Sequence, residues 1–158
     1  PQIDLSRVHF LERLPHGALR ALMQVSTVHV YMTYPFVLSW SCIEALSTGC
    51  AIVASDTAPV RDVIVDGENG VLTPFHDPQA LAAAVCDLLA DPERRAQLSQ
   101  AARETAVAGF HVDACVRRTL DILGVGSQEC DGDGDGRALT DGEEQPAQIG
   151  HLPAAVGA

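Results

Sequence analysis

The sequence predicts an α/β fold in which a parallel sheet carries helices on both faces and a helical flank follows. Residues 51–54 form a short apolar run that suits a strand buried on both faces. Strand-like and helix-like patterns alternate over residues 7–72, and two Asp-Pro pairs open further amphipathic helices. This order is typical of one half of a doubly wound, Rossmann-like domain.

The first elements are predicted from periodicity. Residues 7–10 alternate between polar and apolar side chains, as a short strand does. Residues 18–25 place Leu19, Leu22 and Met23 on one face and predict a helix. Residues 28–32 then predict a second strand, which ends in a loop that reaches Ser39.

The middle of the chain is punctuated by helix caps and turns. Ser39 or Ser41 can cap a helix that runs to residue 48, and Gly49 suits its left-handed end. The buried strand at 51–54 follows, then a brief helix at 60–65. A Gly-containing turn at 66–70 leads into a strand at 70–72.

The C-terminal flank is predicted to be helical. Asp77-Pro78 and Asp91-Pro92 each combine an acidic N-cap with proline at the first helical position. The second of these helices is expected to end at Gly109, and residues 112–123 predict a third. We therefore expect one domain over residues 1–123 and a mostly disordered acidic tail over 124–158.

Charge excludes one class of partner. The chain has 158 residues and a formal net charge of −11, with only 10 Lys and Arg. Nucleic acids are bound through basic residues, so no nucleic-acid partner is expected. Much of the excess negative charge lies in the tail, where Arg137 is the lone base among Glu129, Asp131, Asp133, Asp135, Asp141, Glu143 and Glu144.

The five cysteines are an odd number with no Cys-x-x-Cys pair, which fits neither a disulfide framework nor an ordinary zinc site. They predict reduced thiols in a cytoplasmic protein. No apolar run reaches membrane-spanning length, and the start lacks the plan of a signal peptide. The start at Pro1 rather than Met suggests a piece of a longer chain.

Two loops qualify as ligand sites, because ligands of open α/β sheets bind outside the carboxyl ends of the strands. One spans residues 34–41 and the other residues 55–59. At the first, a nucleoside diphosphate could lie against the backbone amides of residues 39–42, with the Ser39 and Ser41 hydroxyls as further donors.

Glu44 follows that loop within the next helix. Its carboxylate could accept two hydrogen bonds from the vicinal hydroxyls of a ribose. The alternative is that Glu44 only interacts favourably with the positive end of the helix dipole. Taken alone, the residues favour this second interpretation.

A resemblance to a known family favours the first interpretation of Glu44, a contact with the ribose. Residues 39–55, which begin Ser39-Trp40-Ser41-Cys42 and contain Glu44, resemble the donor-site motif of family 4 (group 1) glycosyltransferases with the GT-B fold. Residues 58–64, 66–72 and 77–82 resemble, in order, the Gly-Gly-x-x-Glu-x-Ile stretch, the Asp-Gly-x-x-Gly-x-Leu stretch and the helix that follow in that family. The similarity covers about residues 6–123 and implies an incomplete C-terminal, donor-binding domain.

The resemblance implies roles for particular residues. Glu44 matches the family glutamate that binds the donor ribose, and residues 39–42 match the diphosphate-contacting segment. The family's first glutamate, eight positions earlier, is Phe36 here, which cannot accept a hydrogen bond from a sugar hydroxyl. The family's basic residues and its acceptor-binding N-terminal domain lie upstream, so this chain is expected to bind donor weakly and not to turn over alone.

Other candidates are weaker. The six histidines form no pair with metal-ligand spacing, and Trp40 is expected to pack against the sheet. In the tail, Asp131, Asp133 and Asp135 match the first, third and fifth ligands of an EF-hand-type or dockerin-like calcium loop at 131–142. The twelfth position is Gly142, however, and a flexible acidic tail without defined cation geometry is equally expected.

The first hypothesis is therefore a retaining glycosyltransferase that moves a hexose from a nucleoside diphosphate sugar to a sugar, lipid or glycan acceptor. No general base is assigned, and no cofactor is required beyond the donor. Peripheral association with a membrane is compatible with such acceptors. The alternative hypothesis is a noncatalytic, calcium-dependent interaction module built on a degenerate transferase half-domain.

Overall fold

A computed structural model describes residues 4–34 and 37–125. A single 3-10 turn, Leu5–Arg7, precedes nine helices and strands in these ranges. In chain order these are α1 (His16–Val25), β1 (His29–Tyr31), α2 (Trp40–Ser47), β2 (Ile52–Ser55), α3 (Ala58–Arg61), β3 (Val71–Thr73), α4 (Pro78–Ala90), α5 (Pro92–Phe110) and α6 (Val112–Ile122).

The sheet confirms the predicted α/β class. Within the described ranges, three parallel strands lie in the order β1-β2-β3, with Val30 opposite Val53 and Val53 opposite Val71. Each crossover carries a helix, α2 between β1 and β2 and α3 between β2 and β3. All four residues of β2 are buried, as expected for a central strand covered on both faces.

Alternate side chains of β2 enter two apolar cores. Ile52 and Ala54 pack with residues of α1 and α2, while Val53 packs with Leu88 of α4 and Leu98 of α5. Successive side chains of a strand point to opposite faces, so the helices cover both faces of the sheet.

Caps and close approaches set the helix boundaries. Asp77 accepts hydrogen bonds from the Gln79 and Ala80 amides, and Asp91 accepts one from Arg94, as the two Asp-Pro pairs predict. Gly49 ends α2 with φ of 71°, the left-handed conformation expected for it. Its backbone also lies against α5, since a Cβ there would be 3.4 Å from the Ser99 carbonyl oxygen.

Three predicted boundaries are wrong. Residues 7–10 are not a strand: Arg7 ends the 3-10 turn, no described strand pairs with residues 8–10, and Phe10 is 89% exposed. The helix expected at 60–65 is the shorter and earlier α3. Gly109 does not end α5, which continues to Phe110, and His111 then caps α6 through its side chain.

The outer edge of β3 is closed by its own turn. The Asp66 carboxylate accepts a hydrogen bond from the Leu72 amide at 2.8 Å, and Gly67 donates to the Gly70 carbonyl. An acceptor at this position occupies a backbone donor that an added strand would otherwise bind. Among the described residues, no helix is long and apolar enough to cross a membrane.

Candidate functional site

The carboxyl ends of β1 and β2 meet at one edge of the sheet and are joined there by a side chain. Ser55 is fully buried, and its hydroxyl donates to the Thr33 carbonyl at 3.0 Å. It also accepts from the Thr33 amide at 3.1 Å. These two bonds fix the start of the loop that leads to α2, so the loop leaves the sheet in a defined direction.

The start of α2 carries two serine hydroxyls side by side. Ser39 is the N-cap, and its Oγ accepts from the Ser41 amide at 3.3 Å. The Ser39 and Ser41 hydroxyl oxygens are 2.9 Å apart, and both residues reach solvent. Free N–H groups, aligned peptide dipoles and hydroxyls make such a helix start suited to an anion.

Three of the four backbone amides of residues 39–42 donate to partners among the described residues. Ser39 donates to the phenol oxygen of buried Tyr31 at 3.0 Å, and Cys42 donates to the Ser39 carbonyl at 3.0 Å. The Ser41 amide uses the Ser39 hydroxyl. Trp40 is the member of this set for which the described residues provide no acceptor.

The side chains of Cys42 and Trp40, both in the segment 39–42, differ in their burial. The Cys42 thiol is fully buried, and burial raises its pKa to about 11, so the residue contributes only its backbone to the site. Trp40 is 82% exposed, so the expectation that it packs against the sheet is wrong. The inward positions of α2 are taken by Cys42, Ala45 and Leu46, which leaves the indole at the first position facing solvent.

Glu44 lies one turn after Trp40 in α2 and lines a cleft of about 530 Å³ between α1 and α2. Its side chain is 35% exposed. The carboxylate oxygen Oε1 lies 3.4 Å from Nε2 of His16, the first residue of α1. The carboxylate is thus half-buried at the cleft wall, and its second oxygen is free of any described hydrogen-bond partner.

The cleft contains two cationic groups: Arg20, for which the sequence alone favours the role of a solvated surface charge, and Arg103, which the sequence pattern did not identify. Arg20 of α1 and Arg103 of α5 line it together with His16 and Glu44. The Arg103 guanidinium donates to the Ser47 carbonyl near the C-terminal end of α2, which holds it beside the cleft. These residues are far apart in the sequence, so only the packing of α5 on α2 brings Arg103 to Glu44.

The second loop, residues 55–59, is less open to a ligand. Asp56 Oδ1 is 2.5 Å from Arg61 Nε, and the hydrogen bond from this guanidinium lowers the pKa of the Asp56 carboxyl. Thr57 is buried, and its hydroxyl has no hydrogen-bond partner in the described part of the chain. The polar groups of this loop therefore face either a neighbouring side chain or the interior.

Several predicted site residues lie outside the described ranges. They are Phe36 and the tail residues Asp131, Asp133 and Asp135, together with the whole predicted loop 131–142. In residues 4–34 and 37–125, no three His, Cys, Asp or Glu side chains are grouped as a metal site. Four cysteines of these ranges, Cys42, Cys50, Cys86 and Cys115, are free thiols.

Comparison with known proteins gives consistent matches. The profile of the family described as "Glycosyl transferases group 1" matches residues 4–105. The chain is 32% identical over 117 residues to an alpha-maltose-1-phosphate synthase of Mycolicibacterium smegmatis, a match that covers 70% of this chain and 30% of that protein. It is 33% identical over 118 residues to a D-inositol 3-phosphate glycosyltransferase of Corynebacterium diphtheriae, covering 75% of this chain and 27% of that protein.

A solved structure gives the same result for the fold. Sucrose-phosphate synthase of Thermosynechococcus elongatus matches with a TM-score of 0.68 and 28% sequence identity, over 76% of this chain and 30% of that chain. The chain thus spans about 30% of the length of the first relative above and of this structure.

Proposed function

This chain belongs to the group 1 glycosyl transferases, and on that premise we propose that it forms the donor-nucleotide-binding part of a retaining glycosyltransferase. The complete enzyme would transfer a hexose from a nucleoside diphosphate sugar to a sugar, lipid or glycan acceptor. Two relatives support a sugar substrate, since their names describe a maltose-1-phosphate synthase and an inositol phosphate glycosyltransferase.

The position of Glu44 carries the proposal. It lies three residues beyond Ser41, which corresponds to about 4.5 Å along the axis of an α-helix. A ribose and the phosphate attached to it are separated by a comparable distance. A nucleotide whose ribose hydroxyls donate to Glu44 would therefore place its phosphates near the start of α2.

The start of α2 would hold the diphosphate. The candidate donors there are the Trp40 amide, which has no acceptor among the described residues, and the hydroxyls of Ser39 and Ser41. Charge builds up on the departing diphosphate as the bond to the sugar breaks, and donors that are already oriented stabilise that charge without reorganisation. This contribution to catalysis requires no proton transfer, and no general base is proposed.

The nucleobase would extend into the cleft between α1 and α2. Leu19 and Ile43 supply apolar walls, and His16 and Arg20 supply polar and cationic groups. A volume of about 530 Å³ is within the usual range for small-molecule sites. His16 would have to share Glu44 with the ribose, since it lies 3.4 Å from one carboxylate oxygen.

The first family glutamate, which is expected to contact the donor sugar, is replaced in this chain by Phe36. Phe36 lies outside the described residues. Binding of the donor through its nucleotide and loss of that one sugar contact are compatible. The calcium-dependent alternative rests on the tail residues outside the described ranges, and none of the comparisons favours it. A cytoplasmic location, peripheral membrane association and the domain limit at residue 123 stay predictions.

A nucleotide titration tests the proposal. Thermal unfolding of the 158-residue chain would be followed with increasing ADP, GDP and UDP, because a ligand that binds only the folded state raises Tm. We expect at least one of them to stabilise the wild type, and Glu44→Ala to reduce this stabilisation. Glu104→Ala, which removes an exposed glutamate of α5, is the matched control and should leave it unchanged.

If no nucleotide raises Tm of the wild type, or if Glu44→Ala and Glu104→Ala respond alike, the nucleotide site is not at Glu44.

A further inference from the structure

A buried tyrosine links the end of β1 to the start of α2. Tyr31 is the last residue of β1 and is 6% exposed. Its phenol oxygen accepts a hydrogen bond from the Ser39 amide at 3.0 Å. Ser39 is the N-cap of α2, so this bond joins the sheet to the helix start across the loop that separates them in the sequence.

The loop between these two elements is held at both ends. At its start, the buried Ser55 hydroxyl binds the amide and the carbonyl of Thr33. At its end, the Tyr31 hydroxyl binds the Ser39 amide. A helix start that is tied to the sheet in this way has a fixed position relative to the strand ends, where ligands of parallel α/β sheets bind.

Core packing accounts for the Tyr31 ring but not for its hydroxyl. Tyr31 belongs to the same apolar core as Leu46 and Ile52. A phenylalanine ring would fill the same space without a buried polar atom, which costs free energy unless it is hydrogen-bonded. What the hydroxyl adds among the described residues is the bond to the Ser39 amide.

The position of Ser39 determines where the phosphate donors of α2 lie. The Ser39 hydroxyl accepts from the Ser41 amide at 3.3 Å and lies 2.9 Å from the Ser41 hydroxyl. The Trp40 amide belongs to the planar peptide group that begins at the Ser39 carbonyl, so its direction changes when the Ser39 backbone rotates. Donors that are already oriented bind an anion without a further loss of conformational freedom.

We propose that Tyr31 is a positioning residue for the donor diphosphate: its hydroxyl holds Ser39 so that the Trp40 amide and the serine hydroxyls point to the phosphates. This inference rests on the proposed function, which places the diphosphate at the start of α2. Tyr31 acts through Ser39 and does not contact the nucleotide. Its contribution to affinity is therefore confined to the phosphate part of the ligand.

Tyr31→Phe tests the inference, because it removes the hydroxyl and keeps the ring. Isothermal titration of the 158-residue chain would compare two ligands: the nucleoside diphosphate, of ADP, GDP and UDP, that raises Tm of the wild type most, and the corresponding nucleoside, which lacks the phosphates. Tyr31→Phe should weaken binding of the diphosphate about threefold to tenfold, as expected for the loss of one hydrogen bond. The affinity for the nucleoside should not change. A purely structural role would leave the ratio of the two affinities at its wild-type value.

Thr105→Val is the matched control, because it also removes a hydroxyl that accepts a hydrogen bond. The Thr105 hydroxyl accepts from the side-chain amide of buried Asn69 at 3.0 Å, and Thr105 lies outside both candidate loops and the cleft. This variant should keep the wild-type ratio of affinities.

Amide hydrogen exchange in the wild type gives a second measurement, which does not depend on how the variant folds. The Ser39 amide should exchange more slowly than the Trp40 amide, because its acceptor is the buried Tyr31 hydroxyl, whereas Trp40 has no acceptor among the described residues. Equally fast exchange of the two amides overturns the inference.

The outcomes separate the inference from the proposed function. An unchanged ratio of affinities in Tyr31→Phe refutes the positioning role alone. If the wild type binds none of the three nucleoside diphosphates, the proposed function is refuted, and the role of Tyr31 with it.

Discussion

Ser39 has two roles in this account that a pair of substitutions can separate. It caps α2 through its hydroxyl, and it lies where the donor diphosphate is proposed to bind. Ser39→Ala removes both the cap and the hydroxyl. Ser39→Asp keeps an acceptor for the Ser41 amide, because aspartate is as good an N-cap as serine, but it adds a negative charge to the diphosphate segment.

The expected magnitudes follow from these contacts. Loss of an N-cap costs about 1 kcal/mol, so Ser39→Ala should lower the free energy of unfolding by about that amount. Ser39→Asp should be at least as stable as the wild type, since a carboxylate at the start of a helix gains about 0.3–1 kcal/mol from the dipole. Two like charges about 4 Å apart repel by about 1 kcal/mol in water and about 4 kcal/mol near a protein surface. The affinity of Ser39→Asp for a nucleoside diphosphate should therefore fall at least about fivefold.

Urea unfolding measures the free energy of unfolding. Isothermal titration measures the affinity for a nucleoside diphosphate, and the one used is the one that raises Tm of the wild type most. Ser41→Ala is the control for the capping role alone: it removes the hydroxyl 2.9 Å from Ser39 but leaves the cap in place, so it should keep the wild-type free energy of unfolding. Wild-type affinity in Ser39→Asp would refute a diphosphate site at the start of α2. Equal stability of Ser39→Ala and Ser39→Asp would refute the capping role.

Three further predictions concern the frame of the site. Asp66→Ala should lower the free energy of unfolding by about 1 kcal/mol, because the Leu72 amide loses its acceptor, and Asp66→Asn should lower it less; equal losses in urea unfolding would contradict this. Burial lowers the pKa of His29, so the unfolded chain takes up the proton first as the pH falls below about 6.5. Stability should then decrease on acidification, and His29→Gln should flatten the dependence of the free energy of unfolding between about pH 7 and pH 5, whereas an unchanged slope would exclude His29 as its source. Thr57→Val should raise Tm, because it replaces a buried hydroxyl that has no described partner with a methyl group of similar size, at a gain of about 1 kcal/mol; a lower Tm would show that the hydroxyl is hydrogen-bonded.

The sequence predicted those elements whose cause is local. The Asp77 and Asp91 caps, the left-handed Gly49 and the apolar β2 depend on residue types within a few positions, and the structure has all four. The prediction of a strand at residues 7–10 is wrong because a strand also needs a neighbouring strand to pair with, and alternation alone does not supply one.

The candidate site also has features with a local cause, which the sequence predicts, and features that depend on contacts between elements, which it does not. The serine pair at the start of α2 was predicted because N-caps have a sequence signature. The exposure of Trp40 was not predicted, since it depends on which face of α2 meets the sheet. Nor were the proximity of His16 and Arg103 to Glu44 and the edge-to-face contact between the Tyr34 and Phe75 rings, because each joins residues on different elements.

Glu44 is the residue on which the proposed nucleotide site depends most directly. The decisive measurement compares the best-binding ribonucleoside diphosphate with its 2′,3′-dideoxy analogue, by titration against the wild type and Glu44→Ala. If the carboxylate accepts from the ribose hydroxyls, the wild type should prefer the ribonucleotide by about tenfold, and Glu44→Ala should bind the two equally. The same preference in both proteins would contradict a ribose contact by Glu44.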